Sequence, residues 1–432
     1  MLVLGALAML AGAVLLVASA ALATGTDAPT ASAASTDVLR STNELIGFWE
    51  ERVARDPHDT TAYNRLTDGY LRRARQTGDV ADYDRAEVAL RRSLEALPSN
   101  AEAQVRLAAV RGAKHEFHDS LALAERALAA LPDDPYALSV LGDAQFALGR
   151  YEDARATYAR LMAITPGLAS FSRVAAIYEL RGDVPAAALT WQNAIDTDGG
   201  RRPEDTAWVL TEAGNFHLLH GDLDLAGDLY TRAMRAYPQY VPAIAGQAAL
   251  HTARGEFEDA ARLYTTVTER QPNPAYVTAL GDVYAAVGRD ADAQRQYALV
   301  RAIDRVYRAN GVNTDLAMAL FYADRGTDLD EALRIARAVE ADRRGIDAAD
   351  TLAWVLYRRG EHPEARAAAE RALRFGTQQP LYLFHAGMIA AAQGDAAAAR
   401  NYLDRALAIN PDFHVLHAAE ARATLQHLGG PR

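Results

Sequence analysis

The sequence predicts an all-α solenoid of about ten helix-turn-helix hairpins, preceded by an apolar N-terminal helix. Three observations carry that prediction: a glycine recurring every thirty-odd residues, prolines that keep a second clock of similar period, and small and aromatic residues at fixed distances from each glycine. The glycines are Gly149, Gly182, Gly221, Gly255, Gly288, Gly326, Gly360 and Gly394, separated by 33, 39, 34, 33, 38, 34 and 34 residues. His115 holds the same place 34 residues before Gly149, and Gly78 lies 37 before that, which makes ten hairpins. Pro98, Pro132 and Pro166 are 34 apart, as are Pro238 and Pro272. A period in the thirties with two helical stretches per unit indicates a stack of repeats rather than one globular core.

The chain opens with LVLGALAMLAGAVLLVASAALA, 22 residues within a stretch from Leu2 to Thr26 that carries no charge. At 1.5 Å per residue that run is long enough for a bilayer core of roughly 30 Å. Residues 1–24 are therefore a transmembrane anchor or a signal peptide. The missing basic leader and the long apolar core favour the anchor, whereas Ala21, Leu22 and Ala23 form a cleavage pattern. Residues 25–36, small and polar, are expected to form a flexible linker. The first basic residue is Arg40, so the bulk of the chain is expected on the side away from the cytoplasm, tethered to the membrane or, after cleavage near Ala23, secreted or periplasmic. A lone helix from Asp37 to Arg55 precedes three blocks of hairpins, 37–198, 204–304 and 313–428, separated by DTDGGRRPED and ANGVNTD. A final helix from Asp412 to Leu428 has no partner and suits the solvating cap that an open-ended stack requires.

Within a unit each punctuation mark has a physical reason. Glycine tolerates the left-handed conformation that ends a helix, and acids soon after it, such as Glu152 and Asp153 or Asp222 and Asp224, favour the positive end of the next helix. Proline then stops the second helix by removing a backbone donor. Seven places before the turn stand Gly142, Ala175, Gly214, Ala248, Gly281, Ala319, Ala353 and Gly387; five after it stand Ala154, Ala187, Ala226, Ala260, Ala293, Ala365 and Ala399. Four further on comes an aromatic, Tyr158, Trp191, Tyr230, Tyr264 or Tyr297, able to fill the hole that a small residue leaves in a neighbouring helix. From about Asp59 to Pro411 this pattern resembles the tetratricopeptide repeat family. The resemblance implies a right-handed α-α superhelix whose first helices line a concave groove for a protein or peptide, with no catalysis and no cofactor.

Composition narrows the chemistry. Half the 432 residues are hydrophobic and none is cysteine, which excludes disulfides, thiolate metal sites and cysteine nucleophiles. A net charge of -11, with no arginine cluster extended into a stripe, argues against nucleic acid as a partner. No GxSxG, HExxH, GxGxxG or phosphate-loop motif occurs. The histidines worth weighing for a metal are His217 and His220, one turn apart, and His251, 34 residues after His217. Neutral imidazoles so placed could bind zinc. Packing is the ordinary reading, because His217 and His251 stand where Tyr178, Tyr284 and Tyr322 stand in other units.

The implied groove positions fall 13, 10, 6 and 3 places before each turn. Early units carry small or polar residues there, for example Glu102, Val105, Ala109 and Gly112. Later units turn apolar, with Leu316 and Leu320, Trp354 and Tyr357, and Phe384 and Met388, interrupted by Asp347 and Asp350. These six are the candidate partner-binding residues, since a run of large apolar side chains off the core needs something to cover it; the chain's own last helix is the competing cover. The lysines and asparagines with which co-chaperones of this family grip a terminal carboxylate are absent from the stripe apart from Asn215. The sequence therefore points to a membrane-tethered scaffold outside the cytoplasm. The alternatives are an accessory of polysaccharide export or a metal-dependent protein using the three histidines.

Overall fold

A computed structural model describes residues 34–200 and 202–429, and among them the chain is helical without a strand. The apolar run of residues 1–24 lies outside the described residues, and no described helix is long and apolar enough to cross a membrane. The first described helix, Ala34–Arg55, begins inside the stretch expected to be linker, and it packs on the first hairpin, where Ile46 lies against Gly69 and Tyr70 Oη donates to Glu50 at 2.6 Å.

Ten hairpins follow. Units one to five are Thr60–Thr77 with Ala81–Ala96, Ala101–Ala113 with Phe117–Ala130, Pro135–Ala147 with Tyr151–Ile164, Leu168–Leu180 with Val184–Asp198, and Pro203–Leu219 with Leu223–Ala236. Units six to ten are Val241–Ala253 with Phe257–Arg270, Pro274–Ala286 with Asp290–Ala309, Asp315–Arg325 with Leu329–Asp342, Ile346–Arg358 with His362–Ala372, and Pro380–Ala392 with Ala396–Ile409. The cap is shorter than the sequence predicts, His417–Gly429, because residues 411–416 form turns after Pro411 before the helix starts.

Local chemistry sets these boundaries. Asp59, Asn100, Asp134, Asp183, Asp222 and Asp395 stand at N-caps, each side chain accepting from a backbone N–H three residues on at 2.7–3.2 Å. The turn residues are left-handed, including His115 at φ 61° in glycine's place. The small positions do what their spacing implies: a Cβ added at Gly214 would come within 2.6 Å of the Tyr230 ring, and one at Gly281 within 2.5 Å of Tyr297. Each tyrosine of the second helix thus occupies the space that a side chain on the first helix of its own hairpin would need.

The superhelix is wound tightly enough to touch itself, with a constant offset. Each turn of units one to five meets the junction that precedes the unit six places later. Gly78 lies against Gln271; the His115 imidazole Nδ1 is 2.6 Å from the Asn313 carbonyl; Tyr151, just past the third turn, accepts from the Ile346 N–H at 2.9 Å; Gly182 abuts the Gly376 carbonyl; and Asn410 Nδ2 donates to the Leu218 carbonyl at 2.8 Å beside Gly221. The largest buried cluster accordingly runs through units eight to ten and the cap but also takes in Tyr151, Leu180 and Leu219 from units three to five. Two successive superhelical turns share one core, and their first helices enclose an axial space.

Candidate functional site

The inner wall of the superhelix is stitched by buried charges at one register position. Nine residues before the turn stand Arg106, Arg173 and His385, and each reaches back to a carboxylate on the first helix of the preceding unit. Arg106 grips Asp68 with Nε at 3.0 Å and Nη2 at 3.2 Å; Arg173 grips Asp143 at 2.8 and 2.6 Å; His385 Nδ1 lies 3.0 Å from both oxygens of Asp350. The two arginine pairs are bidentate, the geometry in which guanidinium and carboxylate satisfy each other with little left for water. Burial opposes the charged form of Arg173, but the Asp143 carboxylate more than offsets it, so the arginine is held above its ordinary range. Burial likewise pushes the Asp68 carboxyl up, against the pull of Arg106.

Unit five breaks this pattern. At the same place it carries Glu212, 4 % exposed, whose partner among the described residues is neutral: Asn215 Nδ2 at 3.4 Å, an amide oriented by Tyr230 Oη, which donates 2.9 Å to its Oδ1. Burial without a counter-charge raises the Glu212 carboxyl to about 7, with the Asn215 hydrogen bond opposing. Glu179, in unit four, is raised by burial to about 8 even though Trp191 Nε1 donates to it at 2.9 Å, and it faces a small cavity of 90 Å³ beside Gln379 and Tyr382.

Glu212 borders the main axial cavity, of 390 Å³, which both superhelical turns line. Its wall is aromatic and charged, with Trp208, Tyr240, Tyr276 and Phe321 among the acids Glu204, Asp282 and Asp324 and the bases Arg75 and Arg325. Gln239, exposed and left-handed at φ 69°, stands at the rim. Trp208 is 8 % exposed and its Nε1 donates to nothing; the amide of Gln76 and the Oε1 of Gln271 are likewise without a hydrogen-bond partner. A volume of this size suits a small ligand or one or two side chains of a larger one.

The six residues expected to line an open groove lie elsewhere. Trp354 is 1 % exposed and Phe384 0 %, Leu316, Leu320 and Met388 are buried, and Tyr357 is partly buried. The competing cover named from the sequence is the one found: the His417 imidazole stacks on Phe384 at 4.8 Å between centroids and meets the edge of Trp354 at 5.7 Å, while Phe413 lies 5.7 Å from Phe384. The physical reason is the cap, whose turn and helix lay Phe413 and His417 over these rings, and Trp354 finds its polar partner inside, its Nε1 donating to Asp324 at 2.8 Å. Leu320 alone of the six also borders the axial cavity. The histidines do not converge either. His217 Nδ1 turns to Asp222 at 3.7 Å and His220 Nδ1 to the Phe216 carbonyl at 2.8 Å, whereas His251 pairs with Glu256 and, with Asp259, forms the one group among the described residues spaced to hold a metal ion. Sequence reasoning passed over Glu212 and Trp208, although one signal was there: an acid where three other units put a base.

Two family models described as tetratricopeptide repeat match the sequence, one over residues 113–178 and 217–283 and the other over residues 351–412. The chain carries tetratricopeptide repeats over those residues. No curated protein matches it. Among solved structures it is similar to a chain of the APC/C hetero-tetramer Cut9-Hcn1, with 13% identity over 91% of this chain and 94% of that one at a TM-score of 0.40. It is also similar to yeast Tom70, with 12% identity over 90% and 86% at 0.36, and to a tetratricopeptide repeat protein from Parabacteroides merdae, with 18% identity over 61% and 99% at 0.36. Tetratricopeptide repeats generally mediate protein-protein interaction, and this chain supplies such a scaffold in tightly wound form.

Proposed function

We propose that this tetratricopeptide repeat chain is a non-catalytic scaffold that receives an extended segment of a partner protein in its axial cavity rather than in an open groove. The observation that supports the reading most directly is the cavity itself: 390 Å³ at the axis, bordered by buried polar atoms on Trp208, Gln76 and Gln271 that have no hydrogen-bond partner. Unpaired buried donors and acceptors are costly in a native fold, and a ligand that satisfies them removes that cost. A photo-crosslinking residue at Gln239, on the rim, should capture a partner segment, while one at Leu189, 64 % exposed and absent from the cavity lining, should not. Equal capture at both positions, or none at Gln239, would sink the proposal.

The same reading places the scaffold at a membrane, facing away from the cytoplasm. It is supported by the uncharged apolar run before Thr26 and by the absence of any basic residue before Arg40. A reporter fused after Arg432 should then be active only outside the cytoplasm, and the mass of the purified chain separates an intact anchor from a new amino terminus at Thr24.

A further inference from the structure

We infer that the axial cavity selects a basic side chain, lysine or arginine, on the partner segment, and that Glu212 is its counter-charge. The inference rests on the proposal that the cavity receives such a segment and adds the chemistry of what enters.

At the place nine before the turn, Arg106, Arg173 and His385 supply a buried positive or ionisable group to a carboxylate one unit back. Glu212 puts a carboxylate in that place, and the one base of the preceding first helix, Leu168–Leu180, is Arg173, which is already engaged with Asp143. An inner-wall carboxylate has therefore replaced the cation without acquiring one of its own.

The neighbouring acids show that this is not a general feature of the cavity. Glu204 is paired with Arg72 and Arg75, each at 3.4 Å. Asp205 is paired with Arg202 at 3.1 Å and Asp282 with Arg325. Asp324 accepts from Trp354 and sits 3.4 Å from His417. Glu212 faces an amide and three phenols, Tyr230, Tyr240 and Tyr276, each of whose hydroxyls it makes harder to ionise. A buried carboxylate held beside dipoles and rings, with no cation, is complementary to an ammonium or guanidinium brought in from outside.

The rings supply the second half of the recognition. Trp208 stands four residues before Glu212 on the same helix and so on the same face, and Tyr240 and Tyr276 border the same space. Aromatic faces around an acid attract a desolvated cation. The Trp208 Nε1–H, buried and unpaired, is a donor that a cation cannot use but a peptide carbonyl beside it can. Acid, rings and a free N–H together match a basic side chain carried on an extended backbone.

The test uses the full chain and three capped peptides, Ac-Ala-Ala-Lys-Ala-Ala-amide and its Gln and Glu counterparts, titrated by calorimetry. The lysine peptide should bind at least tenfold tighter than the glutamine peptide, and the glutamate peptide weakest of the three. Glu212→Gln should erase the tenfold preference while leaving the weaker, charge-blind binding in place. Trp208→Phe keeps a ring but removes the N–H, and it should weaken lysine and glutamine peptides alike by several-fold. Equal affinity for lysine and glutamine peptides, or a preference that survives Glu212→Gln, overturns the basic-side-chain inference and leaves the cavity reading standing. Binding of no peptide by the folded parent chain overturns both.

Discussion

The turn glycines of units three to five and those of units six and seven share one backbone conformation and have different surroundings. Gly149, Gly255 and Gly288 all have φ of 74°. A Cβ at Gly149 would lie 2.6–2.7 Å from the backbone of Arg344 and Gly345, and one at Gly221 2.8 Å from the Ile409 carbonyl, whereas Gly255 and Gly288 have nothing within 4 Å. In the later units glycine is needed for its left-handed φ alone. In the earlier ones it is needed twice, because the next superhelical turn passes over it. The repeat motif thus carries a second message, winding, that is written only where there is something to wind against.

The largest effect should come from Gly149→Ala. Left-handed alanine costs about 1–2 kcal/mol, and forcing a methyl against unyielding backbone about 1–3 more, so a loss of about 3 kcal/mol in denaturant unfolding is expected. A loss no greater than that of Gly288→Ala would break the comparison, since the close approach at Arg344 would then carry no energy.

Glu212→Gln sharpens it from the inside, because winding is what strips this carboxylate of water. Below pH 4.5 the acid is protonated folded and unfolded, and burial costs nothing extra. As pH rises from 4.5 to about 7 the unfolded chain ionises first, so the parent loses stability, and above about 7 the penalty is constant. The glutamine variant carries no such penalty and should be more stable than the parent by roughly 3 kcal/mol at pH 8 and by less than about 1 kcal/mol at pH 5. An advantage that does not depend on pH would mean that Glu212 keeps its water.

Asn410→Ala removes the hydrogen bond to the Leu218 carbonyl, between residues 192 apart in sequence, and leaves that acceptor unmatched. The expected cost is about 1–2 kcal/mol, together with faster amide exchange at the turn near Gly221. Unchanged exchange there would show that the two superhelical turns do not depend on this contact. The smallest change belongs to Gly288→Ala, about 1–2 kcal/mol from conformation alone. It is the reference against which Gly149→Ala is judged.

Most of the architecture was legible because it is local. Gly78 to Gly394 mark the turns, Asp134 and Asp222 cap helices within three residues of themselves, and Tyr230 and Tyr297 fill holes in their own hairpins. Interactions within a few dozen residues leave a periodic trace, and a period can be counted. The candidate site was not legible in this way. Trp354 and Phe384 occupy groove positions by register, yet whether such positions face solvent or protein depends on the pitch of the superhelix.

The sequence by itself determined the helix, turn and helix of each unit, their number, the small-large complementarity inside each hairpin, and an acidic chain with no thiol chemistry. Tertiary structure alone decided the winding. Small rotations between successive units accumulate over six of them until Gly182 meets Gly376 and Asn410 meets Leu218. That sum converts an open groove into an axial cavity and leaves Glu212 inside without a cation, while the cap folds back over the aromatics that the register puts on the groove face. A pairwise rule of spacing does not contain an accumulated angle, so the cavity became visible only once the turns of the superhelix were laid on one another.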